Sequence, residues 1–232
     1  MTYGVIGLGY VGLPFAVVAA EAGHSVIGFD VNPEIVNSIN YGASHIQDVP
    51  SKSLCPLVNE GKLRATSNFS ELKNCDVISI CVPTPLNKIK DPDLSYVVNA
   101  SEDIAEHLQI GQIVVLESTT YPGTTREVVL PVLEESGLEV GVDFYLCYSP
   151  ERVDPGNKTW TTKNTPKVLG GITEACAKRG KELYATIFDQ IVQVENTEAA
   201  ELVKVYENTF RMINIALANE LSQICDRLKI NV

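Results

Sequence analysis

The sequence predicts an α/β chain in which a doubly wound parallel sheet is followed by one long helix. Three observations carry the prediction. Short runs rich in Val and Ile alternate with longer helical patterns, the rhythm of successive βα units. A glycine-rich turn, Gly7-Leu8-Gly9-Tyr10-Val11-Gly12, separates the first run from the first helical pattern. From residue 197 to 228 there is a helical pattern without Gly or Pro.

Residues 3–7, 25–30, 76–82, 112–118 and 144–149 read as buried strands. They are apolar at successive positions, as a sheet covered by helices on both faces requires. Residues 63–66 add a short strand. Helical patterns occupy 11–22, 33–40, 51–60, 94–108 and 124–136. Residues 151–166 hold two prolines, a glycine and several polar residues without a period, and read as a loop. Residues 167–169 and 190–194 read as strands flanking a helix at 174–187. Thr197 reads as an N-cap, with Glu198 and Glu201 in the first turn. The division expected is a sheet domain over 1–196 and a long helix over 197–232.

That helix, continuous, measures roughly 48 Å. Its apolar residues include Leu202, Val203, Tyr206, Phe210, Ile213, Leu217, Leu221, Ile224 and Leu228, and also Val205, Ile215 and Ala218. They cover more than one face, so the helix needs cover on more than one side. The expectation is that the chain is a piece of a longer protein and that the helix pairs with a second copy.

Composition sets outer limits. With 45% hydrophobic and 20% charged residues, the chain has an ordinary soluble composition. A net charge of -11 without a Lys/Arg cluster argues against nucleic acid or an anionic membrane as partner. No apolar run approaches the ~20 residues that span a bilayer, and the first residues lack a basic leader. Cys55, Cys75, Cys81, Cys147, Cys176 and Cys225 are scattered and mostly set in apolar runs. They read as inert thiols in a reducing cytoplasm. His24, His45 and His107 stand apart, and no metal constellation can be assembled.

The turn at Gly7-Leu8-Gly9-Tyr10-Val11-Gly12 follows a strand and opens a helix, and Asp30 ends the next strand. That context makes it a dinucleotide-binding turn of the Rossmann kind. Gly7 permits the tight turn, Gly9 lets a pyrophosphate approach, and Gly12 lets helix and strand pack closely. The helix start offers N–H donors to phosphate. Asp30 accepts from ribose hydroxyls and repels a 2′-phosphate, so NAD is expected rather than NADP.

Three clusters follow strands at the edge where such sheets bind ligands. They are Val82-Pro83-Thr84-Pro85, Glu117-Ser118-Thr119-Thr120-Tyr121-Pro122-Gly123-Thr124 and Ser149-Pro150-Glu151-Arg152. Each alone is also ordinary turn chemistry. Lys204 and Asn208 share a face of the long helix. They read either as a salt-bridged surface with Glu201 or as a cation and amide that stabilise negative charge on an oxygen.

With Gly4-Val5-Ile6-Gly7-Leu8-Gly9-Tyr10-Val11-Gly12-Leu13-Pro14, these segments make the chain resemble the UDP-glucose/GDP-mannose dehydrogenase family over essentially its whole length. Pro83-Thr84-Pro85-Leu86-Asn87, Pro92-Asp93-Leu94-Ser95 and Tyr148-Ser149-Pro150-Glu151-Arg152-Val153-Asp154-Pro155-Gly156-Asn157 are most similar to its UDP-N-acetylglucosamine 6-dehydrogenase branch. The resemblance implies oxidation of a sugar C6 alcohol to a carboxylate with two NAD, through a cysteine thiohemiacetal and thioester. It implies that Tyr10, Val11 and Pro83 line the NAD site. Thr84 contacts NAD, and Thr119 lies by NAD and holds the catalytic water. Glu151 assists acid–base work around hydrolysis, Arg152 binds substrate, and Lys204 and Asn208 stabilise the oxyanion. The family's nucleophile lies in a Gly-rich Cys-x-Pro segment beyond the long helix, and no cysteine here occupies such a segment. NAD binding without turnover is therefore expected of these 232 residues. Two rival readings are a stand-alone NAD-binding module and a β-hydroxyacid or 6-phosphogluconate-type dehydrogenase. The latter lacks its usual Gly-rich substrate loop here.

Overall fold

The computed structural model describes residues 1–88, 90–152 and 162–231. Eight strands form one sheet: β1 (Thr2–Ile6), β2 (Ser25–Phe29), β3 (Leu63–Thr66), β4 (Val77–Ile80), β5 (Ile113–Leu116), β6 (Tyr145–Tyr148), β7 (Lys167–Gly171) and β8 (Ile191–Gln193). Their order is β3-β2-β1-β4-β5-β6-β7-β8. The helices are α1 (Gly12–Glu21), α2 (Pro33–Asn40), α3 (Ser51–Asn59), α4 (Ser95–His107), α5 (Leu130–Glu134), α6 (Glu174–Tyr184) and α7 (Thr197–Leu228). Two apolar clusters sandwich the sheet. One gathers Leu13, Phe15, Leu54 and Tyr184, and the other Val97, Ile104, Leu133 and Ala200. Both faces of β4 and β5 are therefore buried, which is why β5 is an unbroken apolar run and β4 is one but for the buried Ser79.

The order reverses at β1 and β4, so their carboxyl ends open a crevice. β1 to β6 are parallel where they pair. The expectation of a parallel sheet fails at β7, which pairs antiparallel with β6. β8 then runs parallel to β7. A strand that re-enters from the edge its predecessor left needs no crossover helix, and 152 to 167 supplies no helix among the described residues. The consequence is local and large: the first residue of β7, Lys167, lies at the carboxyl edge with Glu151.

Three smaller differences have physical causes. Asn196, not Thr197, caps α7, its side chain accepting from the Ala199 amide. Thr197 lies inside the first turn, fully buried. The helix expected over 124–136 begins with a wide π-turn at Thr125–Val129 before α5. A 3₁₀ segment, Phe69–Asn74, capped by Asn68, was not foreseen because its apolar residues have no helical period. The expected loop at 151–166 lies largely outside the described residues.

α7 is continuous over 32 residues. Its first turns pack on the sheet through Ala200 and Glu201, both fully buried. Gly170 makes room for it, since a Cβ there falls 2.1 Å from the Asn196 carbonyl oxygen. Beyond Glu207 the helix stands clear: Phe210, Ile213, Leu217 and Leu221 are each at least half exposed. No described helix is long and apolar enough to cross a membrane.

Candidate functional site

The glycine-rich turn has the geometry its residue types require. Gly7 holds φ +88°, and a Cβ on it meets the Cys81 carbonyl at 2.8 Å. A Cβ on Gly12 falls 1.8 Å from the Gly7 oxygen, an impossible contact. A Cβ on Gly9 meets nothing within 4 Å, so that face of the turn is open to an incoming group. α1 starts there with no side-chain cap, leaving its first amides and positive dipole end available to an anion. Tyr10 is exposed and Val11 half-buried beside the turn. Asp30 follows β2, its Oδ2 accepting from the Leu8 amide at 3.0 Å and its Oδ1 from the Asn32 amide at 2.9 Å. These bonds aim the carboxylate at the turn and leave lone pairs for ribose hydroxyls. Open glycine, uncapped helix and oriented acid together fit a dinucleotide.

The expected substrate side is assembled more tightly than the sequence suggested. The Thr84 hydroxyl does not simply face outward. It donates to the Thr119 carbonyl at 2.7 Å, binding the loops after β4 and β5. Pro83 and Thr119 are exposed beside this bond. Lys204 reaches from α7 to donate to the Glu151 carbonyl at 2.5 Å. Burial holds its ammonium below the usual lysine range, with Glu151 opposing in part. Arg152, expected on substrate, grips Glu207 of α7 through Nε, 3.0 Å from each carboxylate oxygen, and donates from Nη1 to the Pro166 carbonyl at 2.8 Å. Asn208 lies one turn beyond Lys204, half-buried, and its Oδ1 accepts from Arg211 at 3.4 Å. Thus Glu151 and Lys204 are brought together, while Arg152 and Asn208 engage α7 residues.

Two groups escaped the sequence reading. Lys167, 3% exposed, donates to Glu117 at 2.6 Å and to the Pro150 carbonyl at 3.3 Å, and stands 3.7 Å from Glu151. Glu117 also accepts from the Tyr184 hydroxyl. Burial disfavours the Lys167 cation, but Glu117 and then Glu151 outweigh it and raise its pKa. Burial raises Glu117, which Lys167 and Tyr184 only partly offset. A lysine opening the apolar run Val168-Leu169 was the one available signal. The second group is Glu201. It is fully buried and accepts from the Gly123 amide at 2.6 Å, the Thr125 amide at 2.8 Å and the Thr125 hydroxyl at 2.7 Å. It caps the helix that follows β5, so of the two readings open for the Lys204 face the solvated pairing with Glu201 is excluded.

This architecture and these residues coincide with a known family. Residues 1–188 match the NAD binding domain of the UDP-glucose/GDP-mannose dehydrogenase family, and residues 198–232 match its central domain. The chain belongs to that family. It is 39% identical to the UDP-N-acetyl-D-mannosamine dehydrogenase of Pyrococcus horikoshii, covering 100% of this chain and 56% of that protein. It is 41% identical to the UDP-N-acetyl-D-glucosamine 6-dehydrogenase of Salmonella typhi, covering 98% and 53%. The solved Pyrococcus horikoshii UDP-D-ManNAc dehydrogenase superposes with a TM-score of 0.93 over 100% of this chain and 55% of that one. A GDP-mannose dehydrogenase from Pseudomonas aeruginosa, 30% identical, superposes at 0.92, covering 100% and 54%. The chain therefore spans about half the length of these family members and carries the family's NAD binding domain. Within it, Cys81 is buried beside Glu117, and burial drives its thiol well above the ordinary range. Cys75 is likewise pushed up to about 12. Neither suits a thiolate nucleophile.

Proposed function

We propose that the full-length protein oxidises the C6 alcohol of a UDP-N-acetylhexosamine, UDP-N-acetylglucosamine or its galacto epimer first, to the uronic acid. The observation that carries this reading is the convergence of Glu151 and Lys204 on the carboxyl edge that also holds the Gly7–Gly12 turn. NAD, held at Gly7, Gly9, Gly12 and Asp30, supplies the hydride acceptor. The chain's own residues do the rest. Lys204 places a partly desolvated cation beside Glu151, suited to an oxygen that gains negative charge. Thr119, fixed through its carbonyl by Thr84, sets a hydroxyl at the same edge. Asn208 reaches the site by turning from Arg211. The nucleophilic cysteine lies outside these 232 residues, which by themselves bind NAD and release no NADH.

The named relatives act on N-acetylated sugars, which favours that class over UDP-glucose. The product is a nucleotide-linked uronic acid of the kind used to build polysaccharides, made in the cytoplasm. The exposed apolar length of α7 is covered by the α7 of a second copy, giving a homodimer. NADH formation by the full-length protein across UDP-N-acetylglucosamine, UDP-N-acetylgalactosamine, UDP-N-acetylmannosamine and UDP-glucose tests the reading. An N-acetylated sugar gives the highest kcat/KM. A preference for UDP-glucose overturns the substrate class, and no NADH with any of them overturns the activity.

A further inference from the structure

Lys167 occupies a position with no precedent in the motifs, and the sheet explains how it arrives there. β6 and β7 pair antiparallel, Cys147 with Gly171 and Tyr148 with Gly170. Each residue forward along β6 is matched by one residue backward along β7. β6 ends at Tyr148 and β7 begins at Lys167, so the antiparallel pairing brings Lys167 to the edge where the chain continues to Glu151. The 3.7 Å approach of Lys167 Nζ to Glu151 Oε2 follows from that placement.

We infer that Lys167 is a positioning residue for Glu151, holding its carboxylate aimed at the carboxyl edge, with Glu117 and Tyr184 fixing the buried lysine in place. The role given to Glu151 rests on the functional reading above. Lys167 has few alternatives to this role. Its side chain is 3% exposed, and Glu117 opposite it is 1% exposed. The Phe188 ring lies 5.3 Å from the ammonium and closes that side. The Pro150 carbonyl takes a second bond, tying the ammonium to the residue before Glu151. Glu151 in turn is fixed at both ends, its Oε1 accepting from the Arg152 amide at 2.7 Å and its carbonyl accepting from Lys204.

Groups from four elements surround Glu151. Lys167 faces it from β7, Glu117 from the end of β5 and the Cys81 thiol from the end of β4. From α7 come Lys204, with Glu207 and Arg211 around it, and Arg152 on the same segment is paired to Glu207. Among the described residues, Lys167 approaches the Glu151 carboxylate itself, whereas Lys204 bonds the carbonyl. A second lysine devoted to the carboxylate leaves Lys204 available to a developing charge.

The test compares Lys167→Met with Glu117→Gln/Lys167→Met in the full-length protein. Lys167→Met leaves Glu117 as an uncompensated buried charge and lowers Tm. The double variant removes both charges and restores Tm. If Lys167 positions Glu151, both variants lose about 10- to 100-fold in kcat, and their KM for NAD stays within about threefold. If the double variant recovers kcat along with Tm, Lys167 is a stability residue and the inference is overturned. Crystal structures of the double variant and the parent protein provide a readout independent of turnover. The Glu151 carboxylate turns away from its present direction in the variant; an unmoved carboxylate overturns the inference. Absence of NADH formation by the unsubstituted protein sinks the functional reading instead, and the crystallographic comparison then decides the positioning role alone.

Discussion

Glu201→Ala removes one side chain and leaves three donors without an acceptor: the amides of Gly123 and Thr125 and the Thr125 hydroxyl. Glu201 is fully buried, so water does not reach those donors without distortion. Hydrogen bonds to a charged group contribute about 1.5–3 kcal/mol each. Three bonds give an upper figure of about 4–9 kcal/mol. Against this stands the cost of burying the carboxylate, which is why its pKa lies above the ordinary glutamate value despite three bonds that lower it. Losing one partner of a buried charged network costs about 3–5 kcal/mol in general, and we take that range. Glu201→Gln keeps one carbonyl acceptor but turns an NH₂ toward an amide donor, and loses about 2 kcal/mol. Urea unfolding of the chain reads both. With an m-value of about 2–3 kcal/mol/M, Glu201→Ala lowers the midpoint by about 1–2 M at unchanged m. Amide hydrogen exchange at Gly123 and Thr125 accelerates in the same variant. A midpoint within 0.3 M of the parent, as about 1 kcal/mol or less implies, refutes the claim that this carboxylate holds the turn after β5.

Three other outcomes are expected. Calorimetric titration gives clearly tighter binding of NAD than of NADP, and Asp30→Ser narrows the gap by about tenfold or more, roughly 1.4 kcal/mol; equal affinities in the parent chain count against Asp30. The Lys204 ammonium has a folded pKa below its unfolded one, so the unfolded chain binds more protons between the two. Stability therefore rises with pH through that alkaline window, and Lys204→Met flattens the rise seen by urea unfolding between pH 8 and about 11. Equilibrium sedimentation at tens of micromolar shows a dimer that Ile213→Asp or Leu217→Asp dissociates, since each uncovered large apolar side chain costs about 1.5–3 kcal/mol; a monomer with freely exchanging amides beyond Phe210 speaks for a different cover.

The sequence by itself determined most of the scaffold and half of the site. Period and punctuation are local, so the strands of the sheet and α1 to α4 and α6 were legible, as were the Gly7–Gly12 turn and Asp30. Gly12 is the clearest instance, because a backbone that passes 1.8 Å from a would-be Cβ leaves no other residue type. The exposed apolar length of α7 was legible for the same reason: its composition exceeds what one face can bury.

What only the tertiary structure decided depends on strand direction and on pairings across long separations. Nothing in residues 167–171 records that the strand runs opposite to its neighbour, since a buried strand has the same composition in either direction. That direction alone brings Lys167 to Glu117 and Glu151. Spacing from Lys204 left a surface pairing open for Glu201, yet it lies in the core because the amides of Gly123 and Thr125, more than seventy residues away, need an acceptor there. The partner of Arg152 within the chain, Glu207, lies fifty-five residues away and was not legible either. In each case a charged side chain is placed by a partner distant in the chain, and buried charge goes where a counter-charge or hydrogen-bond donors meet it.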